Sequence, residues 1–336
     1  MKTMSKFFAS LLLAGSLAAC GGGGGGDDGA GSSLSINATG SAPQATSVGA
    51  GQTASINVKS GDFITLQATE PVKWQAVITS TKTTVTNQTL TDTVWSGNLI
   101  SPDGDSIVLT AALASNPNKV FTLKLAIAAS TRYSAIAPTV GEVTTFKETS
   151  VTIGGTSNVR NIAYTTSAVN NGVFTINAVN LADNSAFRNY TQDGDRNRLT
   201  QTNPATNNVC TYTPKRDLYN FPLYVGKTWN STWQYACLVG GVPGYHENAS
   251  VVGNVEGIES VTTAAGTFNA LRISYVISYS NLNDPAGFTT YNETIKTWWS
   301  TELGRIVKWQ DTYGYPTGFS DPTYLRTYTQ ELTSVK

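Results

Sequence analysis

Val261-Thr262-Thr263-Ala264-Ala265-Gly266-Thr267-Phe268-Asn269-Ala270-Leu271-Arg272-Ile273 reads as two strands and the turn between them. Glycine tolerates the positive φ that a tight turn demands, so Ala265-Gly266 marks the reversal and Thr267-Phe268 starts the return strand. Leu303-Gly304 repeats the device between Trp299 and Ile306. Outward from this hairpin the β-like runs are long: 227–238, 249–261, 268–280, 289–300, 305–312 and 324–332. Shorter ones precede them at 161–166, 172–179, 186–191 and 209–212, and 201–208 reads as a polar loop. Asn170-Asn171-Gly172 and Asp193-Gly194-Asp195 punctuate them as turns. No stretch carries a 3.6-residue apolar period, so little helix is expected. Sequential strands with short turns predict an antiparallel sheet curving into a half-barrel or open barrel over residues 131–336.

The amino-terminal half, 34–130, is also β but with shorter strands. Val120 to Ile127 is its clearest strand, with Leu123, Leu125 and Ile127 on one face. Ser60-Gly61-Asp62 and Pro102-Asp103-Gly104-Asp105 are turn signals. About seven short strands over about a hundred residues predict a β-sandwich of immunoglobulin-like type, without the Cys…Trp…Cys signature of antibody domains. The fold expected is therefore all-β, with the boundary within residues 131–140, marked by Ala137-Pro138.

Leu17-Ala18-Ala19-Cys20 closes the apolar run 7–19, which follows Lys2 and Lys6 and is too short to span a bilayer. It resembles the lipobox of a bacterial lipoprotein. That resemblance implies removal of residues 1–19, lipidation of Cys20 with palmitate among the acyl chains, and a Gram-negative cell envelope. Gly21 follows the cysteine where an aspartate would resemble the inner-membrane retention signal, so the implied address is the outer membrane. Residues 20–33, with six consecutive glycines from Gly21 to Gly26, read as a flexible tether. Loss of Lys2 and Lys6 turns 22 basic and 22 acidic residues into 20 against 22. Without a basic stripe, nucleic acid is not an expected partner. Charged residues make up only 13% of the chain, against a usual ~25%, as expected of an exported, turn-rich β-protein.

With Cys20 claimed by lipid, Cys210 and Cys237 remain. An even pair in an oxidising compartment reads as a disulfide, worth roughly 3 kcal/mol in the chain-entropy model. Two buried free thiols are the competing reading, and two cysteines without nearby histidines are too few for a metal site.

Three stretches of the second half carry a further likeness: Phe221-Pro222-Leu223-Tyr224-Val225-Gly226-Lys227-Thr228-Trp229, the hairpin quoted above, and Thr297-Trp298-Trp299-Ser300-Thr301-Glu302-Leu303-Gly304-Arg305-Ile306-Val307. Over roughly 215–312 the chain resembles uncharacterised bacterial envelope proteins with a half-barrel like that of periplasmic lipoprotein carriers. The likeness implies a fold and supplies no catalytic residues.

Residue chemistry points away from catalysis. His246 is the one histidine, and Glu247, beside it on a strand, faces the other way. No G-x-S-x-G elbow is present. Asp193-Gly194-Asp195-Arg196-Asn197 opens like a calcium loop, but Arg198 and Pro204 occupy the glycine and glutamate positions, so a turn is expected. Glu247, Glu256, Glu259, Glu293 and Glu302 show no pairing by spacing and are expected on solvent faces. No cofactor or metal is implied. Aromatics are the remaining signal: Trp229, Trp233, Trp298, Trp299 and Trp309 crowd the second half. Trp229 and Trp233 share a strand face, which is either core or the wall of a ligand groove, and Trp298 and Trp299 point oppositely. The expected function is that of a lipid-anchored, non-enzymatic envelope protein binding a partner protein or an apolar ligand. A glycan hydrolase of the envelope and a structural spacer are the alternatives.

Overall fold

The computed structural model describes residues 33–39, 46–77, 82–283 and 289–336. Cys20, the leader and the glycine run lie outside the described residues. Every regular element among the described residues is a strand.

Among the described residues nine strands precede residue 130: β1 (Ser33–Thr39), β2 (Thr46–Gly49), β3 (Thr53–Lys59), β4 (Phe63–Ala68), β5 (Val72–Val77), β6 (Thr84–Leu90), β7 (Val94–Ile100), β8 (Asp105–Leu113) and β9 (Val120–Ala128). They form two sheets, ordered β2-β1-β4-β7-β6 and β3-β9-β8-β5. β3 and β9 run parallel and all other pairs antiparallel. Strand side chains alternate between faces, so Leu66 and Trp95 from one sheet meet Ile56, Leu109, Leu123 and Leu125 from the other in a single buried core.

Twelve strands follow: β10 (Val143–Thr152), β11 (Ser157–Asn170), β12 (Val173–Asn180), β13 (Ala186–Gln192), β14 (Arg198–Asn203), β15 (Asn208–Arg216), β16 (Thr228–Val239), β17 (Val242–Thr263), β18 (Gly266–Asn281), β19 (Thr290–Ser300), β20 (Arg305–Gly314) and β21 (Leu325–Val335). Each pairs antiparallel with the next, and β10 pairs with β21 from Thr144↔Val335 to Thr152↔Leu325, so the sheet is a closed barrel. This corrects the half-barrel or open barrel expected from sequence. The closing strand β10 and the strand β14 were the two not foreseen. Both send polar side chains inward, among them Thr144, Glu148 and Arg198, so an apolar alternation never shows. Closure is what makes a lumen. About eight strands give an interior that side chains just fill, and wider barrels leave space.

The hairpins follow the turn chemistry. Asn171 and Gly172, at φ 49° and 75°, take the left-handed conformation that a two-residue turn between β11 and β12 requires. Residues 217–227 lie between β15 and β16, and only their end, Gly226 and Lys227, joins the backbone hydrogen-bond ladder of the sheet, at Val255. They send Leu218, Tyr219, Leu223 and Val225 into the barrel core, where Tyr219 lies 4.7 Å from the Trp299 ring. The Asn197 side chain pins this plug: its Nδ2 donates to the Tyr219 carbonyl (2.9 Å) and its Oδ1 accepts from the Tyr219 N–H (2.8 Å). The nine-strand unit touches the same segment. Tyr133 and Leu223 exchange backbone hydrogen bonds at 2.8 Å, and the Ser130 hydroxyl donates to the Val225 carbonyl at 2.9 Å.

Candidate functional site

Inward positions of the barrel enclose a cavity of about 620 Å³. Its wall is charged and aromatic rather than aliphatic. A more open hollow of about 660 Å³, beside Thr213, Ser250, Ser278 and Asn292, has no Asp, Glu, Lys or Arg on its lining. The chemistry is therefore in the lumen.

The lumen is electrically two-sided. Arg160 comes from β11, Arg188 from β13, Arg196 from the turn after β13, Arg198 from β14 and Arg216 from the end of β15. Glu247, Glu293 and Asp311 come from β17, β19 and β20. In a twelve-strand ring β13 and β14 stand opposite β19 and β20. A mainly basic arc thus faces a mainly acidic one, with Glu148 of β10 and Arg305 of β20 as the exceptions, and Arg216 reaches across to Glu293 at 3.4 Å. Arg196 and Arg305 share Glu142, at 3.5 and 2.7 Å. Glu148, on β10, accepts from the Tyr164 hydroxyl and from Gln330 Nε2.

Protonation tilts this balance toward positive. Burial pushes the Glu247 carboxyl up to about 7, against the hydrogen bonds it accepts from Tyr245 (2.7 Å) and Tyr291 (2.9 Å). Burial, then the neighbouring Glu293 carboxylate, raises Asp311 well above the usual range, although Trp309 Nε1 donates to it at 2.6 Å. Tyr279 donates to Glu293 at 2.5 Å and stacks on Tyr291 with ring centres 4.5 Å apart.

The expected site residues divide. Cys210 and Cys237 are cross-strand partners on β15 and β16 and are joined by a disulfide. Trp233, Trp299 and Trp309 line the lumen. Trp229 does not. It lies over Gly253, its cross-strand partner, and edge-on to Tyr275 in the core. Trp298 packs in a different apolar cluster from Trp299, donates to Glu259, and has Lys308 Nζ 5.5 Å from its ring. His246 is half-buried opposite Ala236. Asp193 caps its own turn by accepting from the Asn197 N–H and pairs with Lys215 at 2.8 Å. Among the described residues no cluster of three or more Asp, Glu, His or Cys could hold a metal.

One expectation about carboxylates is overturned. Glu247 and Glu293 are not on solvent faces; they are 3% and 2% exposed, inside the barrel. Closure turned that strand face inward. Glu256 and Glu259 do lie outward, each 2.6 Å from Arg272, and Glu302 is exposed. The arginines were missed altogether. Their only sequence signal is polar residues such as Arg188, Tyr190 and Gln192 at alternate positions, a pattern that equally describes a solvated strand.

No protein-family model and no curated protein matches the chain. Among solved structures it is similar to a Bacteroides fragilis protein described as exported and of YmcC-like fold, at 14% identity, 61% of this chain, 99% of that one and a TM-score of 0.38. A protein described as a lipoprotein from Parabacteroides distasonis matches at 13% identity, 61% of this chain, 99% of that one and a TM-score of 0.33. The hypothetical lipoprotein YmcC from Escherichia coli K12 matches at 11% identity, 57% of this chain, 83% of that one and a TM-score of 0.34.

Proposed function

We propose that this is a lipid-anchored envelope protein without enzymatic activity, whose barrel holds a polar small molecule in its lumen. The observation that supports it is the lumen of about 620 Å³ lined by convergent charged and aromatic groups. Binding sites are typically preformed concavities of ~300–1,000 Å³ with a few placed polar groups. An apolar ligand suits this lumen badly, because it would strip water from arginines and carboxylates without replacing their hydrogen bonds. Cys20, by its lipobox, would carry the lipid, and Gly21 after it favours the outer membrane of a Gram-negative cell. The amino-terminal unit is read as an immunoglobulin-like sandwich serving as a spacer or as a dock for a partner protein.

Native mass spectrometry of the full-length protein, released from its own envelope in mild detergent, tests this. A stoichiometric small molecule that leaves on denaturation is the expected result. A chain of bare mass that also takes up none of a broad panel of polar metabolites would refute it.

Glycan hydrolysis is the second reading, and one observation favours it. Glu247 holds a proton near neutral pH in the same lumen as Glu293, as a general acid beside a second carboxyl group would. Release of glycan fragments by the wild type and not by Glu247→Gln would establish it over simple binding.

A further inference from the structure

The basic arc holds more hydrogen-bond donors than the protein gives it acceptors. Arg188 and Arg160 lie over the same ring, that of Phe187, at 5.2 and 5.1 Å. Among the described residues neither guanidinium has a hydrogen-bond acceptor or an ion-pair partner. Arg198 lies on Tyr190 at 4.5 Å and spends one N–H, from Nη1, on Gln201 Oε1 at 2.7 Å. Arg196 Nη2 and Trp233 Nε1 are buried in the lumen wall with no acceptor. A guanidinium stacked on a ring keeps its donor edge free for a planar, bidentate partner. Arg188 feels the Glu148 charge without forming an ion pair with it, and two cations sharing one ring repel each other. A negative group placed among them relieves that repulsion.

We infer that Arg188, with Arg160 and Arg198, recognises an oxoanion, so that the ligand of this lumen carries a carboxylate, sulfate or phosphate group at one end. The inference rests on reading the lumen as a binding site. The acidic arc sets the other end of the molecule. Glu293 presents acceptor oxygens there, which suit hydroxyl or ammonium groups, and Glu247 can meet a hydroxyl group as donor or acceptor. The ligand class is a hydroxylated or amino-bearing molecule with a single oxoanionic end, held lengthwise between the two arcs.

The experiment compares three probes of one size on the full-length protein in detergent: glucuronate, glucose 6-phosphate and glucose, by calorimetry and thermal shift. Native mass spectrometry of co-purified material runs alongside. At least one anionic probe is expected to bind where glucose does not, and Arg188→Gln is expected to weaken it ~10-fold or more, with Arg188→Lys recovering part of the loss. A co-purified anion that is lost from Arg188→Gln gives the same support. The melting temperature without probe shows whether the variant folds, and Arg160→Gln replaces it if it does not. Glucose binding as tightly as glucuronate, an anionic probe indifferent to Arg188, or a co-purified neutral or cationic molecule would overturn the oxoanion inference and leave the lumen a binding site. No probe bound and no co-purified molecule would overturn both.

Discussion

At the scale of one residue, Glu247 makes the lumen answer to pH. Its folded pKa of about 7 stands above the ordinary 4.5. Between those values the folded state keeps a proton that the unfolded chain has lost. Stability contributed by this group is therefore fully present below about pH 4.5, falls as pH rises to about 7, and levels off above, a change on the order of 3 kcal/mol. Glu247→Gln keeps an acceptor for Tyr245 and Tyr291 and carries no charge. Urea melts of the variant at pH 5 and pH 8 should lie closer together than those of the wild type, and an undiminished gap would contradict the assignment. Legibility differed sharply from residue to residue. Trp229 and Trp233, four apart, could be placed on one buried face because bulk apolar surface must leave water. Arg188 and Glu247 could not be, since a charged side chain at an alternate strand position looks the same whether the face it joins is bathed or enclosed. Only ring closure decides between those cases.

At the scale of elements, the information lay in the turns and in the aromatic strands. Gly266 has φ 138° at the start of β18 and Gly304 has φ 60° before β20, as the turn signals foretold. β16 and β18 alternate visibly, with Trp229, Trp233 and Cys237 inward on one and Ile273, Tyr275 and Ile277 on the other. β10 and β14 hid because most of their inward residues, Thr144, Glu148, Ser150 and Arg198, are polar. That omission turned a closed barrel into an open one. The Cys210–Cys237 bridge staples β15, which begins with the short β14–β15 hairpin, to the longer β16. Replacing both cysteines by serine should cost roughly 3 kcal/mol in denaturant melts. The test is paired with alkylation without reductant. Unmodified thiols should be undetectable in the native protein, and equal melts for the two forms would show that the bridge adds nothing.

At the scale of the whole molecule, the plug joins two units that sequence could only set side by side. Gly226, at φ 87°, sits so close to Ile100 of β7 that a Cβ there would lie 2.3 Å from Ile100 Cγ2. Gly304 meets Ile136 in the same way, at 2.4 Å. The first approach lets the two-sheet unit rest directly on the segment 217–227, and the second brings the linker after β9 against the β19–β20 turn. Gly226→Val combines an unfavourable φ with a clash against the Ile100 side chain, so it should cost several kcal/mol or part the units. Hydrogen exchange should then quicken at 133 and 217–227 while the β17–β18 hairpin stays protected. Unchanged exchange at both places would mean the contact is dispensable.

Closure between β10 and β21 also imposes a schedule. The hydrogen bond from Gln330 to Glu148 joins residues 182 positions apart, so it forms after nearly the whole chain is in place. Loop-closure entropy makes such late, distant pairing slow. Until that seam zips the lumen lacks one wall, so whatever affinity the barrel has for a ligand appears only as folding ends.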